Sequence, residues 1–265
     1  MRAGKKYPLP DPTKLNESAS TFSGAVYTSA RFLCLLLLGV VTVFYFRNRE
    51  QAGRQLSLEL VGYSSGNPIV LGILRGGIAV AFEVARALNA PLDVFVTHKI
   101  GVPGHEELAF GALAEGGGRF IDQDIANSAR VTFGETEMVI RSAAAEIVEQ
   151  AKRYRNGEPL PSLTDRTVIL VSDGIASGIE IQAAIASIRQ QAPRQLVVAT
   201  PVISRPTAKI LRPLVDNLVA SHSAALHYTA GQFYEKYPEL EDYQIMNLLK
   251  ISTNFLHGAE ASGAA

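Results

Sequence analysis

The sequence predicts an α/β fold: a mostly parallel sheet with helices on both faces. Three observations predict it. Apolar runs of strand length, PIVLGIL (68–74), TVILVSD (167–173) and QLVVATPVI (195–203), are nearly unbroken, as in strands buried on both faces. Amphipathic stretches of helical length separate them. Strand and helix alternate without an internal repeat, an order that implies parallel strands joined by crossover helices. The composition agrees. A chain of 265 residues, 47% apolar and 19% charged, is globular and long enough to bury a sizeable core.

Each element has a local reason. NREQAGRQLSLELVGY (48–63) reads as an amphipathic helix with Ala52, Leu56, Leu60 and Val61 near one face. YSSGNP is its turn exit, and PIVLGIL the first buried strand. Arg75-Gly76-Gly77 is a tight turn into the helix 78–88. DVFVTHK (93–99) is a second strand, followed by a Gly/Pro loop, GVPGHEEL. AFGALAE and RFID form a short hairpin around Gly116, Gly117 and Gly118. Thr132 and Glu135 make a capping-box pattern that opens a long helix running to about Arg155 and stopping before Gly157. TVILVSD feeds a loop and then IEIQAAIASIRQ, whose Ile181, Ala184, Ile185 and Ile188 share a helical face. QLVVATPVI, the helix TAKILRPLV, the strand NLVASHS and a terminal helix from YPELEDYQ onward complete the pattern.

The first residues differ in character. Residues 1–31 are mostly polar, with Pro8, Pro10 and Pro12, and read as a disordered extension. Residues 32–46, FLCLLLLGVVTVFYF, are fifteen uncharged residues between Arg31 and Arg47. The run is shorter than the roughly 20 residues of a full span. No small-residue cleavage site follows it. Three readings stay open: a short membrane anchor, a buried apolar segment, or a chain that truly starts near Val43. As an anchor it would tether the body to the inner membrane face, because Arg47, Arg49 and Arg54 outweigh Lys14 and Arg31. Residues 47–265 read as one mildly acidic domain of cytoplasmic character.

In open parallel sheets a ligand lies beyond the carboxyl ends of the strands, and three strand ends carry unusual loops. At Leu74-Arg75-Gly76-Gly77 two glycines permit close backbone approach, and Arg75 adds a fork of donors suited to phosphate. At Ser172-Asp173-Gly174-Ile175-Ala176-Ser177-Gly178 a buried strand ends in an acid, and a short loop offers its amides at a helix start. The third loop carries Lys99, His105, Glu106 and Glu107 and is placed to close over a ligand.

Other chemistries find no support. Equal numbers of acidic and basic residues argue against a nucleic-acid binder. One cysteine, Cys34 in the apolar run, excludes an intrachain disulfide. The five histidines show no i, i+4 pair, and His222 and His227 read as structural. G-x-G-x-x-G, G-x-x-x-x-G-K-[ST] and G-x-S-x-G are all absent.

The order strand–RGG, strand–HK–GVPGHEELAFGAL, TVILVSDGIASG and GQFYEKYPELED resembles the phosphoribosyltransferase domain family of the type I fold, over about Phe46 to Leu249. The resemblance implies a parallel sheet with a small hood. It implies a cytoplasmic homo-oligomer that binds phosphoribosyl diphosphate with Mg²⁺ carried by that substrate. The implied reaction transfers the 5-phosphoribosyl group to a small nitrogen base or amine and releases diphosphate. By the same resemblance Arg75, Gly76 and Gly77 match the diphosphate loop, and Asp173 the second of two acids that hold the ribose hydroxyls. Ala176, Ser177, Gly178, Ile179 and Glu180 match the 5-phosphate loop, with Gly174 and Ile175 leading into it. Lys99 and His105–Glu107 match the flexible loop. Asp173, Lys99 and Arg75 are the implied catalytic set.

The chain departs from the family pattern at three positions. Ser172 stands where the first acid is usual, Glu180 replaces a phosphate-binding hydroxyl, and Ala176 stands where some relatives carry a catalytic carboxylate. A carboxylate about 5 Å from a phosphate costs about 3 kcal/mol at an effective dielectric of 20, unless Glu180 turns away, is protonated or caps the helix itself. Two functions follow from this: an active transferase, or a degenerate binding or regulatory module of the same fold.

Overall fold

A computed structural model describes residues 45–224 and 229–262, with side chains through Thr253. Residues 1–44 lie outside the described residues, and so do the extension and nearly all of the apolar run. Its last two residues, Tyr45 and Phe46, belong to the folded body. Phe46 is buried and bridges Tyr234 in parallel, and Tyr45 stacks on His222 at 4.3 Å. No helix among the described residues is long and apolar enough to cross a membrane.

The chain runs α1 (Arg49–Leu60), β1 (Pro68–Ile73), α2 (Gly77–Leu88), β2 (Leu92–Phe95), β3 (Thr97–Val102), β4 (His105–Ala114) and β5 (Arg119–Ile121). Then follow α3 (Gln123–Ser128), α4 (Phe133–Tyr154), β6 (Thr167–Val171), α5 (Ile179–Gln190), β7 (Gln195–Ser204), α6 (Arg205–Leu211), β8 (Asn217–Ala224) and α7 (Asp242–Ser262). The main sheet has the order β2-β1-β6-β7-β8, every pair parallel. A smaller antiparallel sheet is ordered β3-β4-β5.

Every residue of β1 and β6 is buried, which accounts for their unbroken apolar composition. On one face α1 and α2 cover the sheet through Leu56, Leu60, Val80 and Val84, packed on Val70, Ile169 and Val197. On the other face α5 inserts Ile181, Ala184, Ile185 and Ile188 against Ile69, Leu71 and Leu170, and touches Ala112 and Ala114 of β4 as well. Helix α5 therefore lies between the two sheets. Helix α4 covers the small sheet with Ala143 and Ile147 on Ile100, Phe110 and Leu113, and its Thr132–Glu135 capping box is present. Val61 departs from expectation: it is exposed in the 3₁₀ turn that ends α1.

The expected strand 93–99 is two strands in different sheets. The physical reason lies at Val96, whose N–H donates to the Glu115 side chain at 2.8 Å and whose carbonyl accepts from the Glu115 backbone N–H at 2.9 Å. That reciprocal hold peels the chain off β1 and starts β3. The Gly/Pro loop after it is likewise a hairpin, β3–β4, with register shifts at Gly101 and a turn at Pro103-Gly104. The expected hairpin around Gly116–Gly118 is the β4–β5 connection.

Candidate functional site

The strand order reverses direction between β1 and β6. From β1 the chain steps to β2 on one side, and from β6 through β7 to β8 on the other. At such a switch point the loops leaving neighbouring strands diverge and open a crevice. The crevice here is about 500 Å³. Its walls are the loop after β1 (Leu74, Arg75, Gly76), the loop after β6 with the first turn of α5 (Ser172–Ile181), Lys99 of β3, Arg49 of α1, and a C-terminal rim that includes Tyr237, Glu239 and Leu240. Gly77, His105, Glu106 and Glu107 are not among its walls.

The β6 loop is held from below by its carbonyls. Ile175 continues the pairing to β7, donating to the Val202 carbonyl at 2.9 Å and accepting from the Ser204 N–H at 3.0 Å. The Ala176 carbonyl accepts from the Ser204 hydroxyl at 3.0 Å and from the Thr207 hydroxyl. Gly178 then takes a left-handed φ of 72°, and a Cβ there would lie 2.6 Å from Thr207 Cγ2. The backbone N–H groups of residues 176–181 donate to no other group among the described residues. Six unbonded donors at the start of a helix favour an anion.

The charged groups around this cradle are paired. Glu180 turns to the small sheet, accepting from the Thr97 hydroxyl at 3.2 Å and pairing with Lys99 at 3.3 Å. Arg75, which follows a cis peptide bond at Leu74-Arg75, donates to the Leu240 carbonyl at 3.1 Å and to Asp242 at 2.7 Å. Asp242 also accepts from Tyr154 and Arg153, each at 2.7 Å. Those bonds, with the Arg75 charge, hold its carboxyl down to about 2. The Ser172 hydroxyl folds onto its own loop, donating to the Gly174 carbonyl at 3.2 Å. Glu106 serves the hairpin turn, accepting from the Gly104 N–H at 3.0 Å. His105 and Glu107 face each other in solvent at 3.6 Å.

Asp173 is the most constrained group. Its Oδ2 accepts from Arg49 Nε at 2.8 Å and from the Tyr237 hydroxyl at 2.6 Å. Its backbone carbonyl accepts from the Tyr234 hydroxyl at 2.6 Å. Arg49 also donates to the Pro238 carbonyl at 2.5 Å and lies 3.7 Å from the Tyr237 ring centroid. Among the described residues no group of three or more His, Cys, Asp or Glu is placed to hold a metal ion.

Comparison with known proteins settles the relationship. The family model described as phosphoribosyl transferase domain matches residues 44–215. The chain belongs to the phosphoribosyl transferase domain family. Two curated Mycobacterium tuberculosis proteins, from strains H37Rv and CDC 1551 and each named "Putative phosphoribosyl transferase", are 36% identical to it over 204 residues, covering 77% of this chain and 46% of theirs. The chain thus spans about half the length of the curated relatives it matches. The crystal structure of TT1426 from Thermus thermophilus superposes with a TM-score of 0.65 at 33% identity, over 78% of this chain and 98% of that one.

In this member of the phosphoribosyl transferase family, three residues that sequence reading passed over stand at the strand end that carries Asp173. Arg49, counted from the sequence only among the charges beside the apolar run, is buried and paired with Asp173. Tyr234 and Tyr237 lie within the GQFYEKYPELED stretch, with nothing local to assign them a partner.

The tyrosines predict an alkaline limit. Burial, then the Asp173 charge, pushes the Tyr234 hydroxyl far above its ordinary range. Burial and the Asp242 hydrogen bond push Tyr154 up to about 12. A folded-state value raised above the unfolded one, about 10, gives stability that is complete below pH 10 and lost as pH rises toward the folded value. Each buried tyrosine contributes about 1.4 kcal/mol per pH unit in that window. Urea unfolding between pH 9 and 11.5 should steepen above pH 10, and Tyr234→Phe should flatten the slope. An unchanged slope in that variant would remove the assignment.

Proposed function

We infer that the chain transfers the 5-phosphoribosyl group of phosphoribosyl diphosphate to a small nitrogen base or amine. The observation that carries this reading is the cradle of unbonded amides at residues 176–181, opening into the same cleft as Arg75 and Asp173. In the transfer the bond from ribose C1 to the diphosphate oxygen breaks, a bond from C1 to the acceptor nitrogen forms, and the acceptor proton leaves to solvent. The amides and the exposed Ser177 hydroxyl would bind the 5-phosphate. The Oδ1 of Asp173, which carries none of the bonds described, would accept from a ribose hydroxyl. Arg75 and Lys99 would leave Asp242 and Glu180 and turn their charges to the departing diphosphate, where negative charge develops. Both pairs are partly exposed, so opening them costs little. The described residues do not build a metal site of their own, and Mg²⁺ would enter as the counter-ion of the diphosphate, as part of the substrate.

One observation favours a second reading, a non-catalytic anion-binding module. Arg49, Arg75 and Lys99 are all engaged by carboxylates, and Ala176 offers no base. Calorimetric titration with phosphoribosyl diphosphate and Mg²⁺ tests both. Micromolar binding with diphosphate release on adding an acceptor supports the transferase. Micromolar binding without release across a panel of bases and amines supports the module. No binding up to millimolar ligand overturns both. Glu180→Thr should bind tighter, by up to the hundredfold that about 3 kcal/mol allows. Unchanged affinity would mean that the Lys99 contact already cancels the carboxylate.

A further inference from the structure

We propose that Arg49 is a positioning residue that supplies, from inside the fold, the positive charge beside Asp173, so that the cleft takes a ribose 5-phosphate group without a metal ion at that carboxylate. The inference rests on the phosphoribosyl reading above.

Arg49 is the first residue of α1, where the helix dipole disfavours a cation. Its side chain is only 9% exposed. A guanidinium in that position is costly unless it is paired and hydrogen-bonded. Its donors and its planar face meet three partners: Asp173 Oδ2, the Pro238 carbonyl and the Tyr237 ring. The first of these, with the Tyr237 hydroxyl, leaves Asp173 one oxygen, Oδ1, without a bond. The neighbouring Ser172 brings no charge and its hydroxyl is closed on Gly174. The end of β6 is therefore electrically neutral before any ligand arrives. A divalent cation approaching Asp173 would meet a carboxylate already compensated, and a guanidinium beside it that repels.

Gly76 is part of the same arrangement. A Cβ there would fall on Asp173 Oδ2, well inside van der Waals contact, and lie 2.8 Å from Arg49 Nε. The first glycine of the RGG turn makes room for the ion pair. With Asp173 fixed and neutralised, Oδ1 can accept from a ribose hydroxyl while the phosphate sits in the amide cradle, and the carboxylate does not repel it.

The test titrates ribose 5-phosphate into the full-length protein by calorimetry, once in EDTA and once in excess Mg²⁺. The wild type should bind with affinities within about twofold of each other. Arg49→Gln should bind about tenfold or more weakly in EDTA and recover in Mg²⁺, because the ion then takes over the missing charge. Arg49→Lys keeps the charge and should stay indifferent to the metal. Wild-type binding that requires Mg²⁺ overturns the proposal alone, and that comparison needs no variant to fold. An Arg49→Gln protein equally weakened in both media assigns Arg49 to scaffolding and also overturns it. Absence of binding in both media overturns the phosphoribosyl reading and this inference together.

Discussion

Arg155→Met should destabilise the protein by about 3–5 kcal/mol, the range for removing one partner from a buried charge cluster. Arg155 caps the C-terminus of α4 and is 6% exposed. Its Nε donates to both Asp93 oxygens at 2.9 and 3.1 Å, and its two terminal nitrogens reach Glu115 at 2.7 and 2.9 Å and the Val94 carbonyl at 2.7 Å. Asp93 and Glu115 are nearly as buried. Burial pushes the Asp93 carboxyl up, and Arg155 pulls it back part of the way. Without Arg155 it rises further. A raised carboxyl costs stability as pH climbs from the unfolded value of about 3.9 through the folded one, so the loss should be larger at pH 8 than at pH 5. Adding Asp93→Asn and Glu115→Gln should restore much of it. Urea unfolding followed by circular dichroism measures all three proteins, and a loss below about 1 kcal/mol would refute the cluster's role. The loss should fall on the join between the sheets, since Glu115 also sets the point where the chain leaves β2 for β3.

Gly76→Ala should cost about 3 kcal/mol, the scale of one or two hydrogen bonds to charged groups, and weaken ribose 5-phosphate binding. The new methyl displaces the Asp173 carboxylate, so the bonds from Arg49 and Tyr237 break together. Backbone freedom is not at issue, because Gly76 has φ −67°. Gly62→Ala is the control: nothing lies within 4 Å of a Cβ there, and the change should be within about 0.5 kcal/mol. A Gly76→Ala protein as stable as the wild type, with Asp173 unmoved in its crystal structure, would contradict this account.

Arg155 and Gly76 mark where the sequence could be read and where it could not. The β6 loop and the Arg75 turn were legible because their signals are local: an unbroken apolar run, then glycine, then helical periodicity. The same locality placed α4 by its capping box and α5 to the residue. The strand 93–99 was misread because the apolar pattern runs straight through Val96, and what diverts it is a side chain nineteen residues away. Arg49 was invisible as a site residue for a stronger form of that reason. Its partner Asp173 is 124 residues distant, and no periodicity marks a charge that will be buried. Of the four residues expected in the flexible loop, Lys99 lines the cleft, whereas His105 and Glu107 face each other and Glu106 accepts from its own turn.

Helix α5 lies between two sheets, with its first turn forming the floor of the cleft. The helix that presents the amides is also the centre of the core, so a change that shifts the floor unmakes the protein. The opposite wall is built differently. Its C-terminal rim carries Tyr237 and Glu239, both exposed. A substitution at Tyr237 removes the bond to Asp173 and the ring beneath Arg49, whereas one at Glu239 disturbs little packing. A lineage built on this frame is free to vary Glu239 at the rim, while the loop after β6 and the first turn of α5 stay fixed by the demands of folding.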